Sequence, residues 1–156
     1  MTDPDLMEHA LDLAVDNVRS GRGGPFAAIV VRDGAMIATG TNRVTTEHDP
    51  TAHAEITAIR KACSLLDDYR LDGCTLISTC EPCPMCMGAV YWSRLDRVVY
   101  AATRSEAAAA GFDDHHIYEE IGKPPAERQL PMERCREDAA HRPFDTWAHY
   151  DDRVEY

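Results

Sequence analysis

A histidine, a glutamate and two cysteines have the types and spacing of a metal site that performs chemistry. His53 and Glu55 are separated by one residue, and Cys83 and Cys86 follow further along the chain. Zinc prefers imidazole and thiolate ligands in a tetrahedral array. His53, Cys83 and Cys86 would supply three ligands, so the fourth position stays open to water. Glu55 is then expected beside the metal as a proton-accepting base.

Two predicted helices must position these residues. One helix is expected from about His53 to Leu66, and another from Pro84 to about Trp92, with the proline at its first position. In mid-helix, residues two apart point away from each other, but in the first turn both can lean toward a metal beyond the helix end. Two helix N-termini aimed at one point make a locally positive site, which lowers the pKa of a thiol.

The chemistry expected of such a site is hydrolytic deamination of an amidine-like carbon. Zinc with three protein ligands lowers the pKa of its water to about 7. Glu55 would accept that proton and hand protons to a ring nitrogen and to a leaving amine. Two alternatives stay open. Cys80 could close the site as a fourth ligand of a structural zinc, which would leave Glu55 without a role. The chain could also be a zinc-stabilised binding protein without turnover.

The remaining pattern predicts a single α/β domain over residues 1–156. A helix is expected at Asp5–Arg19, with its apolar stripe at Met7, Leu11, Ala14 and Val18. Strands are expected at Phe26–Arg32 and Ala35–Gly40, joined by an Asp33-Gly34 hairpin turn, and at Cys74–Thr79 and Arg97–Ala102. The C-terminal part is expected to contain a loop at Gly111–Gly122, a short strand at Gln129–Cys135 and a helical turn at Phe144–Tyr150. The strands on either side of the second zinc-site helix are expected to be parallel.

Composition limits the partners. The net charge is −11, with 16 Lys and Arg against 27 Asp and Glu, which argues against a polynucleotide substrate and favours a small neutral molecule. No apolar run of about 18 residues or basic leader is found, so a cytoplasmic protein without a membrane segment is expected. The cysteines outside the metal pattern, Cys63, Cys74 and Cys135, and the two tryptophans, Trp92 and Trp147, are expected to be packing residues.

The pattern H-x-E with P-C-x-x-C is the signature of zinc nucleobase deaminases, and other stretches extend the match over nearly the whole chain. They are Gly23-Gly24-Pro25-Phe26, Asp49 to Glu55, Cys80 to Cys86, Gly111-Phe112-Asp113-Asp114 and the terminal Glu155-Tyr156. The chain thus resembles the cytidine deaminase superfamily. It is most similar to the bacterial guanine deaminases of that fold, for which the Gly-Phe-Asp-Asp loop and the C-terminal Glu-Tyr are the narrower marks.

This resemblance implies a three-layer α/β/α sandwich with a central mixed five-stranded sheet and a zinc cofactor. The residues it implies are His53, Cys83 and Cys86 as metal ligands, Glu55 and Asp114 as catalytic groups, and Phe26, Asn42, Ala54 and Tyr156 as substrate-binding groups. Phe26 would stack on the purine, Asn42 and the Ala54 backbone would hold it, and Asp114 would contact its edge near the amino group.

The implied function is hydrolysis of guanine to xanthine and ammonia, with a purine base as the partner and no nucleic acid or membrane. Deamination of guanosine or of tRNA adenosine remains an alternative. The resemblance also implies a homodimer in which the C-terminal segment, 143–156, is exchanged between subunits and Tyr156 lids the site. An ordered aromatic residue at a chain end would be unusual, since termini commonly fray.

Overall fold

The computed structural model describes all residues, 1–156, and its backbone divides into two compact units, Met1–Asp114 and His115–Tyr156. The first unit contains helices α1 (Asp3–Arg19), α2 (Val44–Glu47), α3 (Ala54–Leu66), α4 (Pro84–Trp92) and α5 (Arg104–Ala109), and strands β1 (Ala27–Arg32), β2 (Ala35–Thr41), β3 (Cys74–Cys80) and β4 (Arg97–Ala102). The second unit contains α6 (His115–Ile121), a 3₁₀ turn at Pro125–Glu127 and α7 (Arg142–Ala148).

The four strands form one mixed sheet in the order β2-β1-β3-β4. β1 is antiparallel to both β2 and β3, whereas β3 and β4 are parallel and joined through α4, as predicted. The β1–β2 turn places Asp33 at φ 51° and Gly34 at φ 73°. Positive φ at both central residues is the requirement of the tight hairpin turn predicted from this dipeptide.

Helices cover both faces of the sheet, so the predicted α/β/α sandwich is confirmed. On one face, Ile29, Val31 and Ile77 pack with Leu6 and Ala10 of α1. The opposite face packs against α3 and α4, and its cluster includes Ala28, Val30, Leu76, Ala58, Ile59 and Val90. The alternation along β1 follows the two-residue period of a strand that is buried on both sides.

The sheet has four strands, so the prediction of a fifth strand was wrong. Residues Gln129–Cys135 form no strand, and all seven are at least partly exposed. Pro131 has no N–H to donate to a ladder. The expected loop at Gly111–Gly122 is also more ordered than predicted, because α6 occupies most of it.

The buried stripe of α1 matches the predicted one only in part, because Ala14 is buried and Met7 packs against the core, whereas Leu11 and Val18 are exposed. Its buried residues are Leu6, Ala10, Ala14 and Asn17, which follow one another at helical spacing. Leu11 is 39% exposed and Val18 is 50% exposed. The small side chains of Ala10 and Ala14 let the helix lie close to the sheet, and the polar Asn17 occupies a buried position that hydrophobicity alone assigns to its neighbour Val18.

The second unit has no buried residue. Its large apolar side chains are exposed, namely Ile117, Ile121, Leu130, Met132, Phe144, Trp147, Tyr150, Val154 and Tyr156. Trp147 and Cys135 are therefore not core residues, contrary to prediction, and Trp92 of the first unit is also 64% exposed. No helix combines the length and apolar character required to cross a membrane.

Candidate active site

Two metal-ligand candidates occupy equivalent positions at the starts of two helices. His53 is the residue before α3 and Cys83 is the residue before α4, and both have extended backbones, with φ/ψ of −67°/157° and −68°/171°. Neither helix has a side-chain cap, although Asp49 and Thr51 lie just before α3. Instead, Asp49 accepts hydrogen bonds from the N–H and hydroxyl of Thr51.

The three predicted ligands come together at one point. The Nδ1 atom of His53 lies 3.5 Å from the sulfur of Cys83 and 3.5 Å from the sulfur of Cys86. Tetrahedral zinc with bonds of about 2.0–2.1 Å to nitrogen and 2.3 Å to sulfur separates such ligand atoms by about 3.6 Å. The donor set and its spacing therefore fit zinc, and the ligand atoms of His53, Cys83 and Cys86 lie within 4.8 Å of one another.

The electrostatics of the cluster favour a thiolate. A hydrogen bond from the Cys86 thiol, together with His53, lowers the pKa of Cys83 to about 4. The same hydrogen bond and burial raise the pKa of Cys86, because the pair shares one proton. The hydrogen bond between His53 and Cys83 raises the pKa of His53. A divalent cation at this point would bind both sulfurs as thiolates, because ligation deprotonates a coordinating thiol outright.

Glu55 lies in the first turn of α3 and is only 7% exposed. Burial raises the pKa of its carboxyl group, which suits a residue that gains and loses protons during a reaction. Ser78 of β3 lies next to it, with its hydroxyl 3.5 Å from Oε1 of Glu55. A buried carboxylate beside a three-donor cluster has the geometry of a general base for water.

Cys80 is not part of the cluster of potential ligands. It is buried at the end of β3, and burial followed by the negative charge of Glu55 raises its pKa to about 11. The arrangement therefore favours an open three-ligand site over the closed structural alternative.

The predicted substrate residues Phe26, Asn42 and Ala54 lie on adjoining segments of the first unit. A Cβ added at Gly40 would lie 2.2 Å from the carbonyl oxygen of Ala54, so β2 runs directly against the start of α3. Asn42 follows β2 and is 9% exposed. Its Oδ1 atom accepts hydrogen bonds of 3.3 Å from the backbone N–H groups of Gly24 and Val44.

The Gly-Phe-Asp-Asp loop follows α5 and also contributes to this region. The ring of Phe112 meets the ring of Phe26 edge to face, with centroids 4.8 Å apart and an interplanar angle of 86°. Desolvation, and then the charge of Cys83, raise the pKa of Asp114. The structure thus brings a predicted substrate residue into contact with the loop that carries the predicted catalytic Asp114.

Sequence reasoning missed two supporting residues. Glu81 accepts a hydrogen bond of 3.0 Å from the backbone N–H of Arg104, which ties the metal-ligand loop to the start of α5. Asn17 of α1 donates to backbone carbonyls of the Gly24 and Asn42 segments. Helical spacing from Ala14 was the available signal for Asn17, because it places this polar residue on the buried face. Tyr156 belongs to the second unit and is 75% exposed.

The fold and the site agree with the comparison to known families. The profile of the cytidine and deoxycytidylate deaminase zinc-binding region matches residues 1–102. The chain belongs to this family and is a zinc-dependent hydrolase. His53, Cys83 and Cys86 are the cluster that could hold the metal.

Individual relatives narrow the comparison. Over 151 residues the chain is 52% identical to guanine deaminase of Bacillus subtilis, covering 97% of both chains. The crystal structure of that enzyme matches with a TM-score of 0.98 and covers 100% of this chain and 99% of its own. A guanine deaminase structure from Nitrosomonas europaea matches with a TM-score of 0.66 at 42% identity, over 70% of this chain and 63% of that one. A tRNA-specific adenosine deaminase of Haemophilus influenzae is 40% identical over 74% of this chain and 69% of its own.

Proposed function

We propose that this protein hydrolyses guanine to xanthine and ammonia. The observation that carries the proposal is the open cluster of His53, Cys83 and Cys86 with the buried Glu55 in the first turn of the same helix as His53. Full-length similarity to a guanine deaminase of the same fold supports guanine as the substrate.

Glu55 is the proton carrier of the proposed reaction. Zinc held by His53, Cys83 and Cys86 would supply a water of lowered pKa as the nucleophile. Glu55 accepts a proton from this water as it adds to the carbon bearing the 2-amino group, and delivers a proton to the neighbouring ring nitrogen. Glu55 then takes the proton of the newly added hydroxyl and delivers it to the amino group, so that the carbonyl of xanthine forms as the C–N bond breaks and ammonia leaves. The low exposure of Glu55 keeps these protons from exchanging freely with bulk water.

The remaining predicted residues orient the purine. Asn42 offers a side-chain amide whose oxygen is already hydrogen-bonded to two backbone N–H groups, so its NH₂ group is the donor toward a ring acceptor. Phe26 provides an aromatic face for stacking, and the backbone of Ala54 holds the base at the start of α3. Asp114 contacts the edge that carries the amino group and assists its departure.

A homodimer with an exchanged C-terminal segment is part of the proposal. Residues His115–Tyr156 bury none of their side chains and expose a series of large apolar ones, which a monomer in water does not favour. Packing of this unit, including residues 143–156, against a partner subunit would bury that surface. Tyr156 would then act as a lid on a site and exclude water from the reaction.

Adenosine in tRNA is the second candidate substrate, because the chain is 40% identical over 121 residues to a tRNA-specific adenosine deaminase. The net charge of −11 opposes it, since binding of a polyanion depends on Lys and Arg contacts with phosphates.

We also propose a cytoplasmic location, because a reducing compartment preserves the two ligating thiolates.

The test is an ammonia-release assay on the zinc-loaded protein with guanine, guanosine, adenine, cytosine, cytidine and a tRNA anticodon stem-loop. Guanine is expected to be the preferred substrate, with a kcat/KM at least about tenfold above the others, equivalent to about 1.4 kcal/mol of transition-state discrimination. Preferred turnover of the stem-loop would contradict the proposal and assign the chain to RNA editing.

A further inference from the structure

Asn17 is a buried amide on α1 that joins two segments of the candidate site. Its side chain is 0% exposed, and its Nδ2 donates hydrogen bonds of 2.9 Å to the carbonyl oxygen of Gly24 and 2.9 Å to the carbonyl oxygen of Asn42. Both partners are acceptors, so the orientation of the Asn17 amide is fixed by them.

A packing role alone does not account for this residue. The Oδ1 atom of Asn17 is buried without a hydrogen-bond partner, which costs free energy relative to an apolar side chain of similar size. Both amide hydrogens are used, and both hold the backbone of residues outside α1. The free energy lost in burying the amide is thus coupled to the position of the Gly24 and Asn42 segments.

These two segments hold each other in a tight arrangement. A Cβ added at Gly23 would lie 2.1 Å from the carbonyl oxygen of Asn42, so the backbones touch. The N–H of Gly24 donates back to Oδ1 of Asn42, and the N–H of Phe26 donates to the carbonyl oxygen of Gly24 at 2.9 Å. The N–H of Asn42 donates to the carbonyl oxygen of Phe26 at 3.1 Å. The side chain of Asn17 connects the two segments through its hydrogen bonds to the carbonyl oxygens of Gly24 and Asn42.

We propose that Asn17 is a positioning residue that sets the orientation of the Asn42 amide. By fixing the Gly24 and Asn42 carbonyls, Asn17 places the Gly24 N–H against Oδ1 of Asn42. With its oxygen held in this way, Asn42 presents its NH₂ group to a hydrogen-bond acceptor on the ring of the substrate. This inference rests on the proposed role of Asn42 in binding a purine base.

A double-mutant cycle tests whether Asn17 acts through Asn42. Asn17→Ala is expected to lower kcat/KM for guanine by about 10- to 100-fold, the scale of loss for a misplaced binding group. In an Asn42→Ala background the same change is expected to lower kcat/KM by about threefold or less, because contacting residues of one network are not additive. Equal fold-losses in the two backgrounds would overturn the proposal.

Controls separate positioning from loss of fold. Leu6→Val removes a methylene from the same buried face of α1 and is expected to lower the melting temperature while leaving kcat/KM within about twofold. Asn17→Asp retains the side-chain volume and is expected to repeat the Asn17→Ala result while zinc content stays at the wild-type level. If Leu6→Val lowered kcat/KM as much as Asn17→Ala, a role specific to Asn17 would be excluded.

Binding provides a readout that does not need turnover. The same cycle is measured as the Kd of guanine by calorimetry in a Glu55→Gln background, where Asn17→Ala is expected to weaken binding about tenfold only when Asn42 is present. Guanine that binds but is not turned over by the wild-type protein would contradict the proposed function and leave the coupling measurable. Turnover of guanine with multiplicative effects would contradict only the role of Asn17.

Discussion

The two units of the chain differ in what they bury. The first unit places Ile29 and Ile77 at 0% exposure between its helices, and it contains every zinc-ligand candidate. The second unit has two short helices, exposes Trp147 and Tyr156, and buries nothing. A segment that buries none of its side chains gains little hydrophobic stabilisation by itself. The chemistry therefore belongs to the first unit, and the second is expected to act as a cover whose packing depends on another chain.

Removal of zinc is expected to have the largest effect, and to act on the first unit. Chelation should abolish deamination, and added zinc should restore it, because His53, Cys83 and Cys86 form the cluster that is expected to hold the metal. Zinc at about 1,000 times its Kd stabilises the folded state by about 4 kcal/mol, so the melting temperature should fall on chelation. Activity and calorimetry on metal-free and reloaded protein provide the check. Full activity without metal would contradict the assignment.

Glu55→Gln is the next largest change. A neutral amide cannot accept a proton from water, so kcat is expected to fall by about 10³- to 10⁴-fold, at the upper end of general acid–base effects. Zinc content and melting temperature should remain near wild type, because the replacement is nearly isosteric. Glu47→Gln, at the exposed end of α2, is the matched control and should retain activity. Normal turnover by Glu55→Gln would mean that another group carries the proton.

Deletion of Glu155 and Tyr156 tests the second unit as a cover. Turnover is expected to fall by about 10- to 100-fold, because water would enter the site and the purine would be held less well. The free energy of unfolding should change by less than about 0.5 kcal/mol, since both residues are exposed in the single chain. An undiminished rate would rule out the lid and leave the first unit as the complete catalyst.

Trp147→Ala is expected to have the smallest effect on the free energy of unfolding. It tests whether dimer assembly depends on the second unit rather than on the first. Exposed tryptophans are frequent anchors of protein interfaces, so the dimer Kd should rise by at least about tenfold, measured by analytical ultracentrifugation. Leu65→Ala, which removes a 69% exposed side chain from α3 of the first unit, should leave the dimer Kd unchanged. A wild-type protein that is monomeric at micromolar concentration would contradict the exchanged segment.

The zinc site was the part that the sequence could predict most fully. His53, Cys83 and Cys86 were predicted from ligand chemistry and spacing, and their atoms lie within 4.8 Å of one another in the fold. The helices that position them begin at or next to the predicted first residues, with α3 starting at Ala54 and α4 at Pro84. Local signals suffice here because each ligand lies at a helix start, where the chain itself determines the direction of the side chain.

Features that depend on contacts between distant segments were missed or wrong. The predicted buried stripe of α1 included Leu11 and Val18, whereas tertiary packing buries Ala10 and Asn17 beside the correctly predicted Ala14. The partners of Asn17 lie at positions 24 and 42, and no periodicity within one helix can indicate them. The expected fifth strand fell in the second unit, where apolar residues do not form a core of their own.

A zinc ion bound at the starts of α3 and α4 would link two segments that are far apart in the chain. The first helical hydrogen bonds run from the N–H of Thr57 to the carbonyl of His53 at 2.9 Å, and from the N–H of Met87 to the carbonyl of Cys83 at 2.8 Å. Opening either first turn moves a ligand, so a bound metal resists both openings. Amide hydrogen exchange at Thr57 and Met87 should therefore slow together as zinc is titrated. Local fluctuations of two helices would in this way become one cooperative motion, governed by the occupancy of a single ion.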